Sequence, residues 1–195
     1  MAFIGMRRPV YALVSAYTEG SAITYGTGEV IAPARRASIT YEREDNPFYG
    51  DDVEQENDVG LNGYTIELET TALPIATRAA LLGEVPVTGT GSTVTEYQAT
   101  SANSPYVGFG FIRVLMVGGV KKYEAFWFYR LRFSLSSEEA NTKEKSISWG
   151  APTLSGTGTA VYLDSTGEPA YFAHNEFATL AAANTWLNTK ANISE

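Results

Sequence analysis

The chain has no cysteine and a single histidine, His174, among its 195 residues. Disulfide frameworks and thiolate metal sites are thereby excluded, as is any site built on several imidazoles. Such usage suits a reducing compartment. No apolar run approaches the ~20 residues of a membrane-spanning helix. The opening MAFIGMRRPVYAL is interrupted by Arg7, Arg8 and Pro9 and does not read as a secretory signal. Charged residues make up only 18% of the chain, with a formal net charge of −8. Without a basic stripe, tight binding to a phosphate backbone is not expected.

Catalytic motifs are missing as well. There is no Gly-x-Ser-x-Gly elbow to go with His174, which reads as a loop residue near a helix start. Gly26-Thr27-Gly28 and Gly89-Thr90-Gly91-Ser92 lack the Gly-Lys-Ser/Thr and the third spaced glycine of phosphate loops, and read as loops. The residues point to no enzyme and to no cofactor.

What is there is β-rich. Eighteen glycines, twelve tyrosines and many Ser and Thr residues predict an all-β or mainly β chain, with 44% hydrophobic residues to fill a core. Segments 9–17 and 22–31 read as strands joined around Glu19-Gly20, with Gly26 and Gly28 marking a bulge or a close backbone approach. Pro74 to Leu82 reads as a short helix closed by Gly83, with Ile75, Ala79 and Leu82 inward. Residues 83–105 read as a surface loop holding one strand, 93–99. Runs 107–117 and 120–135 form a hairpin about Gly118-Gly119. The return strand sets Tyr123, Ala125, Trp127 and Tyr129 on one face and Phe126 and Phe128 on the other. Both faces therefore need cover, one from the core and one expected from a neighbouring molecule. Residues 136–145 read as a charged turn and 145–149 as a strand. Phe177, Leu180, Ala181, Asn184 and Leu187 line one face of a C-terminal helix capped by Asn175.

The charge is concentrated. Between Glu42 and Glu69 stand ten acids and one base, a net −9, so the remainder of the chain carries +1. The segment 34–71 reads as two alternating strands around a long acidic loop. Ile39 and Tyr41 oppose Ser38, Thr40 and Glu42; Tyr64, Ile66 and Leu68 oppose Thr65, Glu67 and Glu69. Counting from Asp52, an EF-hand would need glycine where Asn57 stands and glutamate where Gly63 stands. Alternating carboxylates about 7 Å apart repel by roughly 0.6 kcal/mol per pair in water, which holds such a segment open until a cationic surface meets it. Pro47, Phe48, Tyr49 and Val53 add apolar groups that mere solvation does not need. The loop therefore reads as an interaction arm with hydrophobic anchors, unstructured until it binds.

Taken in order, these elements resemble the major tail tube proteins of long-tailed, non-contractile bacteriophages over nearly the whole chain. The resemblance rests on GMRRPVYALV followed by Ile23-Thr24-Tyr25-Gly26, then ITYEREDNPFYGDDVEQE, Leu81-Leu82-Gly83, SPYVGFGFIRV, YEAFWFYRLRF, KSISWGAPTLSG and FATLAAANTWL. It implies an antiparallel β-sandwich or barrel over 1–160 with a flanking helix and an arm loop at 44–60. Residues 161–195 would be a C-terminal extension with a helix, packed on the same domain. It further implies a virion tail protein, assembled in the host bacterial cytoplasm, whose hexameric rings stack into a tube. Its partners would be further copies, a tape measure, a tail terminator and a distal tail protein; DNA would pass through the lumen without specific binding. Asn46, Pro47, Phe48, Tyr49, Asp51, Asp52, Glu54, Glu56 and Asp58 would form the inter-ring arm. Glu67 and Glu69 are the lumen-facing candidates. The alternative reading is an adhesive β-sandwich, dependent on carbohydrate or calcium, on a virion or cell surface.

Overall fold

In the computed structural model residues 2–50, 53–89, 93–100, 103–137, 151–164 and 167–194 are described, with the backbone alone for 2, 46–50, 53–59 and 135–137. The chain is mainly β. Its strands are β1 (Ala2–Ala16), β2 (Thr24–Tyr25), β3 (Glu29–Val30), β4 (Ala34–Gly50) and β5 (Val53–Thr70), followed by helix α1 (Ile75–Leu82). Then come β6 (Val85–Thr88), β7 (Val94–Gln98), β8 (Val107–Val117), β9 (Val120–Ser137) and β10 (Thr153–Gly158). The described part ends with β11 (Val161–Tyr162), β12 (Pro169–Ala170), β13 (Phe172–Phe177) and helix α2 (Leu180–Ala191). Neither helix is long and apolar enough to cross a membrane among the described residues.

Nine strands make one antiparallel sheet in the order β2-β1-β8-β9-β10-β5-β4, with β13 on β9 and β3 on β1. Strand β9 is its axis. One edge pairs with β8 from Val120 to Leu131. The other edge is shared end to end, by β13 over Tyr123 to Phe128 and by β10 over Leu131 to Ser137. The sheet curls until β1 and β4, near the opposite ends of this path, come within 8 Å. No ladder joins them among the described residues. The curl therefore closes by packing along that seam.

The concave side is filled by Tyr64, Ile66 and Leu68 of β5, Phe109 and Phe111 of β8, Phe126, Phe128 and Phe133 of β9, and Leu154 of β10. Leu81 joins them from α1. Tyr64 lies 4.9 Å from Phe128, ring centre to ring centre, and its hydroxyl donates to the Arg130 carbonyl at 3.2 Å. Complete burial of one such side chain contributes roughly 1.5–3 kcal/mol.

The convex side of β8 and β9 is the second aromatic face that the sequence predicts. Trp127, Ala125 and Ile112 are buried there, with Tyr123 and Tyr129 alongside. Its cover is not a neighbouring molecule. Helix α2 of the same chain lays Ala183, Leu187 and Ala191 against it. Alanines at close spacing let the helix approach a crowded sheet. At Gly28 the backbone comes so near Ala191 and the Tyr11 carbonyl that a β-carbon would sit 2.9 Å from the latter.

Other expectations shift in detail. Helix α1 ends at Gly83 in the left-handed region as predicted, but turns Thr77, Ala79 and Leu81 inward and leaves Ile75 65% exposed. In an eight-residue helix the neighbouring strands, rather than the first apolar residue, choose the face. The cap of α2 is Thr179, whose side chain accepts from Ala182 N at 3.3 Å. Asn175 is held in β13 instead, its Oδ1 accepting from Glu176 N. Residues 83–105 contain a ribbon, β6 with β7, rather than one strand in a loop. The strand expected at 145–149 and most of the turn before it lie outside the described residues.

Candidate functional site

The acidic segment is not a loop. Strands β4 and β5 stay paired from Ala34–Thr70 out to Gly50–Val53, with register shifts at Glu42/Arg43 and Phe48/Tyr49. Side-chain polarity does not oppose this, because extended pairing satisfies the backbone groups whatever the side chains are. The shifts are bulges, which add twist to a ribbon that has no third strand to flatten it.

Only the base of this hairpin belongs to the sheet, since β10 pairs with β5 from Tyr64 to Glu69 and no farther. Beyond it, residues 44–60 have each other as their only strand partners among the described residues. The seven residues from Glu44 to Gly50 reach roughly 23 Å at the rise of an extended strand. At the root, Tyr171 donates its hydroxyl to the Leu61 carbonyl, and Tyr41 packs 5.7 Å from Phe172. Burial raises the pKa of both tyrosine hydroxyls. Thr65 donates to Glu42 Oε1 at 3.1 Å.

Register places Asn46 opposite Asp58, Pro47 opposite Asn57, Phe48 opposite Glu56 and Tyr49 opposite Glu54. Pro47 is tolerated because β4 is an edge strand and its missing N–H breaks no second ladder. Asp51 and Asp52 lie outside the described residues. Glu42, Glu44 and Asp45 are exposed.

Glu67 and Glu69 sit apart from these arm positions. They alternate with the buried Ile66 and Leu68, on the convex face of the hairpin base. Glu67 is level with Ser38 on one side and Ser155 on the other. Glu69 is 2.8 Å from Arg35 Nη1. Around them Thr40, Thr65, Ser155, Thr157 and Ser134 continue a hydroxyl-rich surface, with Ser134 donating to the Ser155 carbonyl at 3.3 Å.

Two features escape a sequence reading. The first is His174, which lies in β13 rather than a loop, stacked 5.5 Å from Phe126 with Nδ1 3.1 Å from Glu124 Oε1. Arg113 donates to the other oxygen of Glu124 at 2.7 Å. The second is that two Arg-Arg pairs, Arg7-Arg8 and Arg35-Arg36, come to the same β1–β4 seam. Their doubling was the available signal, diluted in a net charge that the arm dominates. Among the described residues no group of three or more His, Asp or Glu is set to hold a metal ion. No family model matches the chain, and no curated protein matches it.

Proposed function

We propose that the chain is a self-assembling structural protein, the subunit of a tube of the phage tail kind, built from stacked hexameric rings through which DNA passes. The observation that carries this reading is the ribbon of residues 44–60, which leaves the sheet and pairs with no third strand among the described residues. A ribbon of two strands is marginal in water, and one that is also strongly acidic gains little from standing alone. It gains from a second molecule. The polar convex face of Ser38, Glu67, Ser155 and Thr157 supports the same reading. A surface rich in hydroxyls and carboxylates, on which Arg35 and Arg36 lie beside Glu69 and Glu67, offers DNA phosphates little unopposed positive charge and lets a polyanion slide. The tail-tube form of the curled sheet, the inter-ring role of residues 46–58 and the lumen position of Glu67 and Glu69 all belong to this proposal. The two-faced aromatic strand no longer argues for assembly, since α2 covers it.

Negative-stain microscopy of the concentrated protein tests the reading. Hollow tubes with a regular axial repeat are expected from the intact chain, and folded protomers without tubes when 46–58 is replaced by an Asn-Gly turn. Unchanged tubes from the shortened chain would remove the arm from stacking.

A further inference from the structure

The seam where the curl closes without hydrogen bonds leaves strand edges open on both of its sides among the described residues. Strand β4 ends the sheet, so its outer edge is unpaired among the described residues. Strand β1 is bonded by β8 from Ala2 onward, but β2 and β3 reach it only from Val10, leaving its first half with one free edge. Between the two edges runs a groove of about 500 Å³ floored by Met6, Ile39 and Phe111. Phe3 and Ile4 stand exposed on its rim. A second recess of about 440 Å³ continues it past Arg7 and Arg8.

The groove is cationic. Arg35, Arg36 and Arg113 line the first part, and Arg7 and Arg8 the second. Arg35 and Arg113 are matched by Glu69 and Glu124. Arg8 donates to Asn188 Oδ1 at 2.7 Å, an uncharged partner. Arg7 and Arg36 are exposed, and Arg36 stands between this groove and a small recess that it shares with Glu67 and Glu69. Five guanidinium groups, two of them exposed and without an ion pair among the described residues, beside exposed apolar residues suit an occupant that carries both carboxylates and apolar side chains.

One segment of this sequence has that composition. The ribbon of residues 44–60 contains Glu44, Asp45, Glu54, Glu56 and Asp58 together with Pro47, Phe48 and Tyr49. It cannot serve its own groove, because it grows out of the same strand β4 that walls the groove and runs on beyond Tyr41. We infer that the β1–β4 seam is the docking site for the acidic hairpin of a second copy of this chain. This rests on the assembly reading above and names the surface that the arm engages. Receptor and arm are two ends of one hairpin, so the contact is head-to-tail. A contact of that kind does not close on itself and repeats from copy to copy at a spacing set by the arm's reach.

The absence of cysteine makes the test clean. Ile4→Cys protein is mixed with Asp45→Cys protein under assembly conditions and treated with a short bis-maleimide. Thr95→Cys on β7 serves as the distant comparison, and each single variant alone as the control for like-with-like products. A crosslinked dimer that needs both Ile4→Cys and Asp45→Cys is expected, and it should fade as salt screens the contact. In parallel, Arg7→Glu/Arg36→Glu should raise the protein concentration needed for assembly by about 10-fold or more, with an unchanged far-UV spectrum. Tubes that form while Asp45→Cys couples to Thr95→Cys as readily as to Ile4→Cys would overturn this docking site and leave the assembly reading standing. Normal assembly by the folded double-arginine variant would do the same. A wild-type chain that stays monomeric at all concentrations would overturn both.

Discussion

The β4–β5 hairpin has two halves made of the same two strands, and they differ in what lies beside them. At the base, Tyr64, Ile66 and Leu68 are fully buried, β10 supplies a third strand, and the register is fixed by which face must be dry. Past Glu42 the ladder continues, yet the sequence turns acidic, the side chains described there are exposed apart from the half-buried Leu61, and no third strand follows among the described residues. Backbone pairing is common to both halves and therefore does not separate them. Burial does. The base is stable on account of this chain, and the outer half is a strand pair that, in the proposed assembly, takes its stabilising contacts from another copy.

The comparison breaks most visibly at Tyr64. Tyr64→Ala should lower the unfolding free energy by ~3–5 kcal/mol in urea melts, because it empties a well-packed site beside Phe128 and strands the Arg130 carbonyl. An equal loss from replacing residues 46–58 would erase the distinction; a change within ~1 kcal/mol is expected instead. Leu187→Ala should cost ~2–4 kcal/mol, since α2 is the cover of the convex aromatic face. Alkali should act through the same buried core. Burial raises the Tyr64 and Tyr25 hydroxyls well above 10, and burial with the nearby Glu29 carboxylate pushes Tyr11 up to about 12. The unfolded chain releases these protons from about pH 10 and the folded one later. Stability should hold below that point and fall as pH rises from 10 through 12, read as a dropping Tm. Tyr64→Phe should shrink the slope. Hydrogen exchange sharpens the contrast further: amides at 64–69 should exchange at least ~100-fold more slowly than those at 44–50 in the free protomer. Smallest of all, Arg35→Ala should cost less than ~1 kcal/mol, as its partner Glu69 is a surface ion pair.

How far the sequence reveals this architecture depends on which contacts are local. The β8–β9 hairpin is legible because Gly118 and Gly119 both take positive φ, 58° and 81°, as a two-residue turn demands. The two faces of β9 are legible from alternation alone. What covers the second face is not, because alternation shows that Trp127 must be buried without naming Leu187 as its neighbour. Asn175 looks like a helix cap, yet pairing in register with β9 from Tyr123 to Phe128 claims that segment for β13 first. The arm is legible as an exception in charge but not as a ribbon, since a run of acids carries no period for pairing to show in. The arginine seam is built from residues about thirty positions apart, and only the curl of the sheet brings them together.

Arg8 adds a consequence for synthesis. It sits at φ 51°, a backbone region that costs a side-chain-bearing residue roughly 1–2 kcal/mol, at a bulge where β1 shifts register against β8. The acceptor that steadies its guanidinium is Asn188 Oδ1, 180 residues later. On the ribosome the first strand therefore waits for nearly all of the chain before its bend is latched and Trp127 is sealed under α2. A nascent chain keeps its aromatic face bare until residue 191 has emerged, so truncation before α2 yields an aggregating polypeptide rather than a smaller protomer. Completion of the fold doubles as a checkpoint: only a chain translated through α2 has its convex aromatic face covered.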